Sequence, residues 1–148
     1  MSMSNAAETA WLTLLLNNTS WANIGDGVGL RGSTVAGSFY VALHTADPGE
    51  AGDQTTSEAT YTGYARVAVA RSGAGWTISG ANGSNAAAIT FGACTAGTNT
   101  ITYASVGVAA SGASQIISSG VLGGAGSLAV SAGITPNIPI GDLDVNAD

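Results

Sequence analysis

The sequence predicts an all-β fold, an antiparallel β-sandwich of jelly-roll-like type with a short N-terminal α-helix. From residue 38 onward, short segments alternate apolar and polar residues, and turns of Gly, Ser, Ala and Asn separate them. No helical segments are interleaved with these strands, which excludes a parallel α/β sheet. Antiparallel strands connected by short turns therefore account for most of the chain.

One helix is expected within the first 20 residues. Asn5 and Glu8 have the spacing of a capping box, and the residues that follow are mostly alanine and leucine. Asn17 and Asn18 are expected to end the helix.

Trp11, Leu14 and Leu15 recur on one side of this helix at helical spacing. We therefore expect an apolar face that packs against a sheet or a neighbouring subunit.

A glycine-rich stretch at residues 23–33 follows the helix and favours a flexible connection. The predicted organisation is thus a helix and connecting arm at residues 1–37 and a β-sandwich domain at residues 38–148.

The strands are predicted from period-two alternation. In "SFYVALH", Phe39, Val41 and Leu43 share one face, and Tyr40 and His44 belong to the other. The complete set of predicted strands is 38–44, 64–71, 75–79, 86–91, 100–110, 114–122, 127–132 and 142–145.

Charge and composition exclude several kinds of partner. Only 8% of the residues are charged, there are three arginines and no lysine, and the net charge is −6. Binding to nucleic acid or to an anionic membrane surface needs clustered basic residues, which this chain does not have.

The apolar run at 10–16 is too short to span a bilayer and has no cationic segment before it, so we expect a soluble chain without a signal peptide. Cys94 is the single cysteine, for which a buried thiol is the expected role.

One short segment, residues 39–53, concentrates the candidate ligands His44, Asp47, Glu50 and Asp53. Calcium loops place acidic residues at alternate positions and zinc sites need more His or Cys, so this spacing fits neither metal. The favoured interpretation is a strand that ends at His44, a turn set by Pro48 and its following glycine, and solvated carboxylates. No metal, cofactor or catalytic residue is predicted.

Other catalytic patterns are also missing. There is no G-x-S-x-G motif for a serine nucleophile, and "GDGVG" lacks the Lys and Ser/Thr of a phosphate-binding loop. Glu50 and Glu58 could form a glycosidase pair, but such clefts carry aromatic platforms, and only 6% of this chain is aromatic. We therefore expect a protein that is not an enzyme.

Arg66 and Arg71 are predicted to lie on opposite faces of one strand. The ordinary role of such arginines is a structural ion pair, and the functional alternative is a pair between subunits.

Residues 42–72, "ALHTADPGEAGDQTTSEATYTGYARVAVARS", resemble small β-rich virion proteins of tailed bacteriophages. The resemblance rests on the pattern LHTADPG, an acidic gap and YTGYARV, and it continues from about residue 38 to the end of the chain. It implies a β-sandwich protein without catalytic residues, of the capsid cement or decoration type.

This resemblance leads to the expected function. The chain would be a virion protein on the capsid exterior, assembled in the host cytoplasm, that binds the major capsid protein and itself as a dimer or trimer. Its candidate interface residues are Trp11, Leu14, Leu15, His44, Asp47, Arg66 and Arg71.

Two alternatives remain open. A tail, baseplate or fibre module is the first. A carbohydrate-binding or hydrolytic jelly roll that uses His44 with Asp47 or Glu50 is the second.

Overall fold

A computed structural model of the chain describes residues 2–123 and 126–147. Most of its regular structure is short strands in antiparallel sheets, preceded by one helix, as expected of a β-sandwich. This confirms the predicted all-β class. The helix is α1 (Asn5–Asn17), and the strands are β1 (Ser38–His44), β2 (Val67–Ala70), β3 (Trp76–Ser79), β4 (Asn82–Asn85), β5 (Ile89–Thr90), β6 (Asn99–Ile101), β7 (Tyr103–Gly107), β8 (Ile116–Val121), β9 (Leu128–Val130), β10 (Asn137–Ile138) and β11 (Asp144–Asn146).

The described strands form four sheets. One sheet has the order β2-β1-β7-β8, a second has the order β11-β4-β3, and β10-β5 and β6-β9 form two-stranded sheets. Every pair whose register is described is antiparallel.

The chain divides into two compact units. Unit 1 comprises Met1–Ser38, Val69–Ala88 and Pro139–Asp148, and unit 2 comprises Phe39–Ala68 and Ile89–Ile138. The predicted division at residue 37 is a different partition of the chain and stays a prediction.

Helix α1 begins one residue earlier than the sequence indicates. Ser4 is the N-cap, and its Oγ accepts a hydrogen bond from the amide of Ala7, so Asn5 is already helical. The predicted C-terminal end is correct: Asn18 has φ 54 and donates its amide to the carbonyl of Thr13.

The buried face of α1 also differs from the prediction. Leu12 and Leu16 are 1% and 0% exposed and face β3 and β4, whereas Trp11 is 42% exposed. Leu14 and Leu15 are half-buried. The i, i+4 spacing of Leu12 and Leu16 thus defines the packed stripe, and Trp11 lies outside it.

Residues 23–33 are not an unstructured connection. Trp21 and Leu30 pair through two backbone hydrogen bonds of 2.8 and 2.9 Å, which close the loop between them. Inside the loop, the carboxylate of Asp26 accepts the amides of Val28 and Gly29. These bonds lower the pKa of Asp26.

The sequence predicted β1 at its observed bounds. It missed β4, whose residues Asn-Gly-Ser-Asn have low strand propensity, and it missed β10. The predicted strand 86–91 is only Ile89–Thr90, and the predicted strand 100–110 is divided into β6 and β7. Strand β4 exists because β3 and β11 pair with it on both sides.

Gly83 of β4 lies directly under the helix. A Cβ at this position would be 2.4 Å from Cδ1 of Leu16 and 3.1 Å from Cδ1 of Ile78. Only glycine leaves room for the buried leucine at this contact.

We expect Gly83→Ala to lower the free energy of unfolding by about 1–3 kcal/mol because it overpacks the contact between α1 and its sheet. Urea denaturation measures this loss. Gly120→Ala is the matched control, since an added Cβ there meets nothing within 4 Å. Equal stabilities of the two variants would contradict the packing argument.

Candidate functional site

The predicted interface residues fall into different environments. His44 and Arg66 belong to the interior of unit 2, at 0% and 8% exposure, so the structure gives both an internal role. Asp47 is exposed, and Arg71 lies in unit 1 beside the helix end. An interface role for the exposed residues stays a prediction.

His44 ends β1 and is held from two sides. Its Nδ1 is 2.8 Å from the carbonyl oxygen of Thr56, and its Nε2 is 2.8 Å from Oγ of Ser105. A carbonyl only accepts, so Nδ1 carries the proton and Nε2 accepts from the serine hydroxyl. Both ring nitrogens are therefore engaged by the protein.

The imidazole is neutral in this environment. Burial lowers the pKa of His44 below its ordinary value of 6.5, and the nearby Arg66 acts in the same direction. The Thr56 carbonyl and Glu58 oppose this shift of the His44 pKa without reversing it.

A bidentate ion pair joins Arg66 to Glu58. Nε of Arg66 is 2.7 Å from Oε1 of Glu58, and Nη2 is 2.8 Å from Oε2. The arginine side chain is 2% exposed and the glutamate side chain is 18% exposed. This confirms the ordinary interpretation of Arg66 as half of a structural ion pair.

The remaining donors of Arg66 hold the loop between β7 and β8. Nη1 donates to the carbonyl of Ala109 at 3.0 Å, and Nη2 donates to the carbonyl of Gly112 at 2.9 Å. Nη1 also contacts Oγ of Ser114 and Oε1 of Gln54. All five guanidinium N–H groups thus find acceptors, which a buried arginine requires.

Gln54 extends this network to β1. Its Nε2 donates to the carbonyl of Tyr40 at 2.8 Å, and its backbone amide donates to the carbonyl of Ser114 at 3.0 Å. A Cβ on Gly107 would meet the side-chain amide of Gln54, so a larger residue there would displace Gln54 from its hydrogen bond to Tyr40.

Tyr64 completes the network. Its hydroxyl donates to Glu58 at 2.9 Å and accepts the amide of Leu43 at 3.1 Å. Burial raises the pKa of Tyr64 strongly, so the phenol stays protonated and remains a donor. Hereafter "the Arg66 network" denotes the hydrogen-bonded side chains of Gln54, Glu58, Tyr64, Arg66 and Ser114 together with the neighbouring His44–Ser105 pair.

The Arg66 network explains the two sequence blocks on which the phage resemblance rests. "LHTADPG" supplies His44, and "YTGYARV" supplies Tyr64 and Arg66. His44 pairs with Glu58 in an isolated antiparallel β-bridge, and the Glu58 side chain binds Tyr64 and Arg66. The sequence offers Glu58 as one half of a possible glycosidase pair. Glu58 is instead committed to Arg66, whereas Glu50 is exposed.

Arg71 has a comparable role in unit 1. Its Nε donates to the carbonyl of Leu15 at 2.8 Å, and Nη2 donates to the carbonyl of Leu14 at 3.2 Å. Nη1 donates to the carbonyl of Ala36 at 3.1 Å. Because the last turn of α1 contains no basic residue, Arg71 supplies the positive charge that the helix C-terminus favours.

The segment after His44 forms the predicted corner. Oδ1 of Asp47 accepts the amide of Gly49 at 2.9 Å, Gly49 has φ 68, and Pro48 is buried. An open groove of about 550 Å³ lies beside this corner. Its lining includes Asp47, Glu50, Tyr103, Gln115, Ile116, Ile117, Ser118 and Ser119.

Within residues 2–123 and 126–147, no three His, Cys, Asp or Glu side chains are placed to hold a metal ion. In the same part of the chain, no helix has both the length and the apolar character needed to cross a membrane. Cys94 is a free thiol that is 1% exposed, which confirms its predicted burial.

Sequence reasoning missed several members of the Arg66 network. Gln54, Ser105 and Ser114 stand in segments rich in small polar residues, where nothing distinguishes them from solvent-facing neighbours. The burial of Gln54 and Ser105 and the half-buried position of Ser114 arise from the pairing of β1 with β7 and from the loop that Arg66 holds.

Removal of the Glu58 charge should be costly because it leaves Arg66 buried without a counter-ion. We expect Glu58→Gln to lower the free energy of unfolding by about 3 kcal/mol. Chemical denaturation at neutral pH measures this change. Asp47→Asn, an exposed control, should remain within about 0.5 kcal/mol of the wild type. A similar small effect of Glu58→Gln would show that the ion pair does not hold the unit together.

His44 should make stability depend on pH. The unfolded chain takes up a proton as the pH falls through about 6.5, whereas the folded chain resists it because the pKa of His44 is lowered. Stability is therefore complete above this range and falls as the pH drops toward the folded pKa. Denaturation midpoints between about pH 8 and 5 measure the slope. His44→Gln should flatten it, and an unchanged slope would contradict the assignment.

Comparison with protein families was made over the whole chain. The model of the family described as "Podophage GP4 fiber I protein gp80" matches residues 2–146. The search of curated proteins gave no match. The matched range includes α1, all the described strands and the Arg66 network. The chain therefore belongs to the podophage GP4 fiber I protein gp80 family, a family of structural proteins of the phage virion.

Proposed function

We propose that the protein is a structural component of the fibre or tail of a tailed phage. The observation that carries this proposal is the match of residues 2–146 to a family whose description names a fiber protein. This role corresponds to the first alternative drawn from the sequence. It replaces capsid decoration as the leading hypothesis because nothing in the family description refers to the head.

The proposed role is mechanical and not catalytic. The polar groups that chemistry would use are committed to internal bonds: both nitrogens of His44 are engaged, and Glu58 is paired with Arg66. Such a fully bonded buried network favours one well-defined conformation. A defined conformation suits a subunit that is repeated in an assembly.

A carbohydrate site built on His44 has no support in this geometry. The imidazole is 0% exposed, whereas Asp47 and Glu50 are exposed on the following corner. A saccharide in contact with these carboxylates would not reach the His44 ring nitrogens without breaking their bonds to Thr56 and Ser105.

Capsid decoration stays as the competing structural role, with the major capsid protein as its partner. It rests on the resemblance of residues 42–72 to cement-type virion proteins. The two roles differ in where the protein is attached and in how many copies one particle carries.

The test is to locate the protein in intact virions. We expect gold-labelled antibodies against the purified chain to mark the tail or its fibres in electron micrographs. Quantitative mass spectrometry should give a copy number far below that of the major capsid protein. Label spread over the head surface, with a copy number comparable to that of the capsid protein, would overturn the fibre proposal in favour of decoration.

A further inference from the structure

Residues 19–37, which we call the arm, are exposed and yet ordered by hydrogen bonds. None of them is buried. The Asn18 side chain donates through Nδ2 to the Ser33 carbonyl at 2.8 Å and accepts the Ser33 amide at Oδ1 at 2.6 Å, and the Trp21–Leu30 pair closes the loop within the arm. Gly29 has φ 71, and a Cβ there would lie 2.1 Å from the Trp21 carbonyl oxygen. The arm therefore presents its side chains from a fixed backbone.

Several of those side chains are apolar. Single exposed apolar residues are common on protein surfaces, but four on one short segment indicate a contact surface. The exposed aliphatic residues of the arm are Ile24 (41%), Val28 (48%), Leu30 (43%) and Val35 (80%).

Arg31, next to Leu30, is the arginine that the described part of the chain leaves available to bind a partner. There is no lysine, Arg66 is paired with Glu58, and Arg71 binds the end of α1. Arg31 is exposed and has no hydrogen-bond or ion-pair partner in the described part of the chain. An exposed guanidinium on an ordered, partly apolar segment fits an acidic site that also offers apolar surface.

The groove beside the corner has that chemistry. Asp47 uses one carboxylate oxygen for Gly49, and the carboxylate of Glu50 has no partner among the described residues. Tyr103 and Ile116 add apolar surface to the same groove. The groove can thus accept an arginine and a neighbouring aliphatic side chain together.

We propose that the arm of one copy binds the groove of a second copy, with Arg31 against Asp47 and Glu50 and with Leu30 against Tyr103. Charge complementarity identifies the occupant: the chain carries −6 overall, and among the arginines of the described residues Arg31 is the one with no bond to the rest of the protein. Because the two surfaces differ, one arm can bind one groove either twice in a reciprocal dimer or once per copy in a head-to-tail ring or row. This inference goes beyond the proposed function and holds at either location in the virion.

The purified full-length chain tests the contact. Sedimentation velocity should show a weight-average mass that rises with concentration, and the mass should fall between about 50 mM and 500 mM salt because screening weakens the ion pairs. A chain that stays monomeric up to several hundred micromolar overturns the proposal. Association that is unaffected by salt also overturns it.

Two charge-neutralising variants test the arm and the groove independently. Arg31→Gln removes the cation, and the double substitution Asp47→Asn with Glu50→Gln removes the anions. Each should raise the Kd of self-association by tenfold or more, which corresponds to about 1.4 kcal/mol. Thr98→Glu, which changes the net charge as Arg31→Gln does, and Asp142→Asn are exposed controls outside the arm and the groove that should leave the Kd unchanged.

Mixing the two variants tests whether the arm of one copy binds the groove of another. Arg31→Gln keeps an intact groove, and the double variant keeps an intact arm, so an equimolar mixture should form 1:1 dimers that do not grow further. No association in the mixture overturns the proposal. Circular dichroism and melting temperature must match the wild type, which is expected because all three positions are exposed.

Discussion

Unit 2 depends on the ion pair between Arg66 and Glu58. A guanidinium at 2% exposure is stable only if its charge is balanced and its N–H groups are bonded, and Glu58 provides the counter-charge. The same arginine fixes the carbonyls of Ala109 and Gly112, so the loop between β7 and β8 is shaped by a side chain more than 40 residues earlier. The pair therefore sets the positions of segments that have little apolar content of their own.

This arrangement also fixes the surface corner that follows β1. His44 anchors its beginning through Thr56 and Ser105, and the pairing of Thr45 with Ser57 holds the two ends of the segment together. The corner between these ends carries Asp47 at a defined place. Polar bonds in the interior thus determine the geometry of an exposed acidic surface. Such a surface is uncommon in this chain, since only 8% of its residues are charged.

The sequence predicts the parts of this structure that depend on local pattern. The alternation of Phe39, Val41 and Leu43 predicts β1 at its observed bounds, and an ion pair is the ordinary role for Arg66 because buried arginines usually meet carboxylates and nine acidic residues are available. Strand β4 could not be predicted, since its stability comes from two partner strands and from the space that Gly83 leaves for Leu16. The glycines of residues 23–33 suggested flexibility, but Gly29 serves a close backbone approach instead.

Unit 1 is built from three segments that are far apart in the chain, and this affects the order in which the protein folds during synthesis. Strand β11 pairs with β4 in the sheet that packs against α1, yet its residues 144–146 are synthesised after every residue of unit 2. Arg71, which satisfies the carbonyl of Leu15, follows it by 56 residues. Unit 2 is contained in residues 39–138 and can be completed while the chain is still growing. Helix α1, which is synthesised before unit 2, thus belongs to a unit that is completed after unit 2.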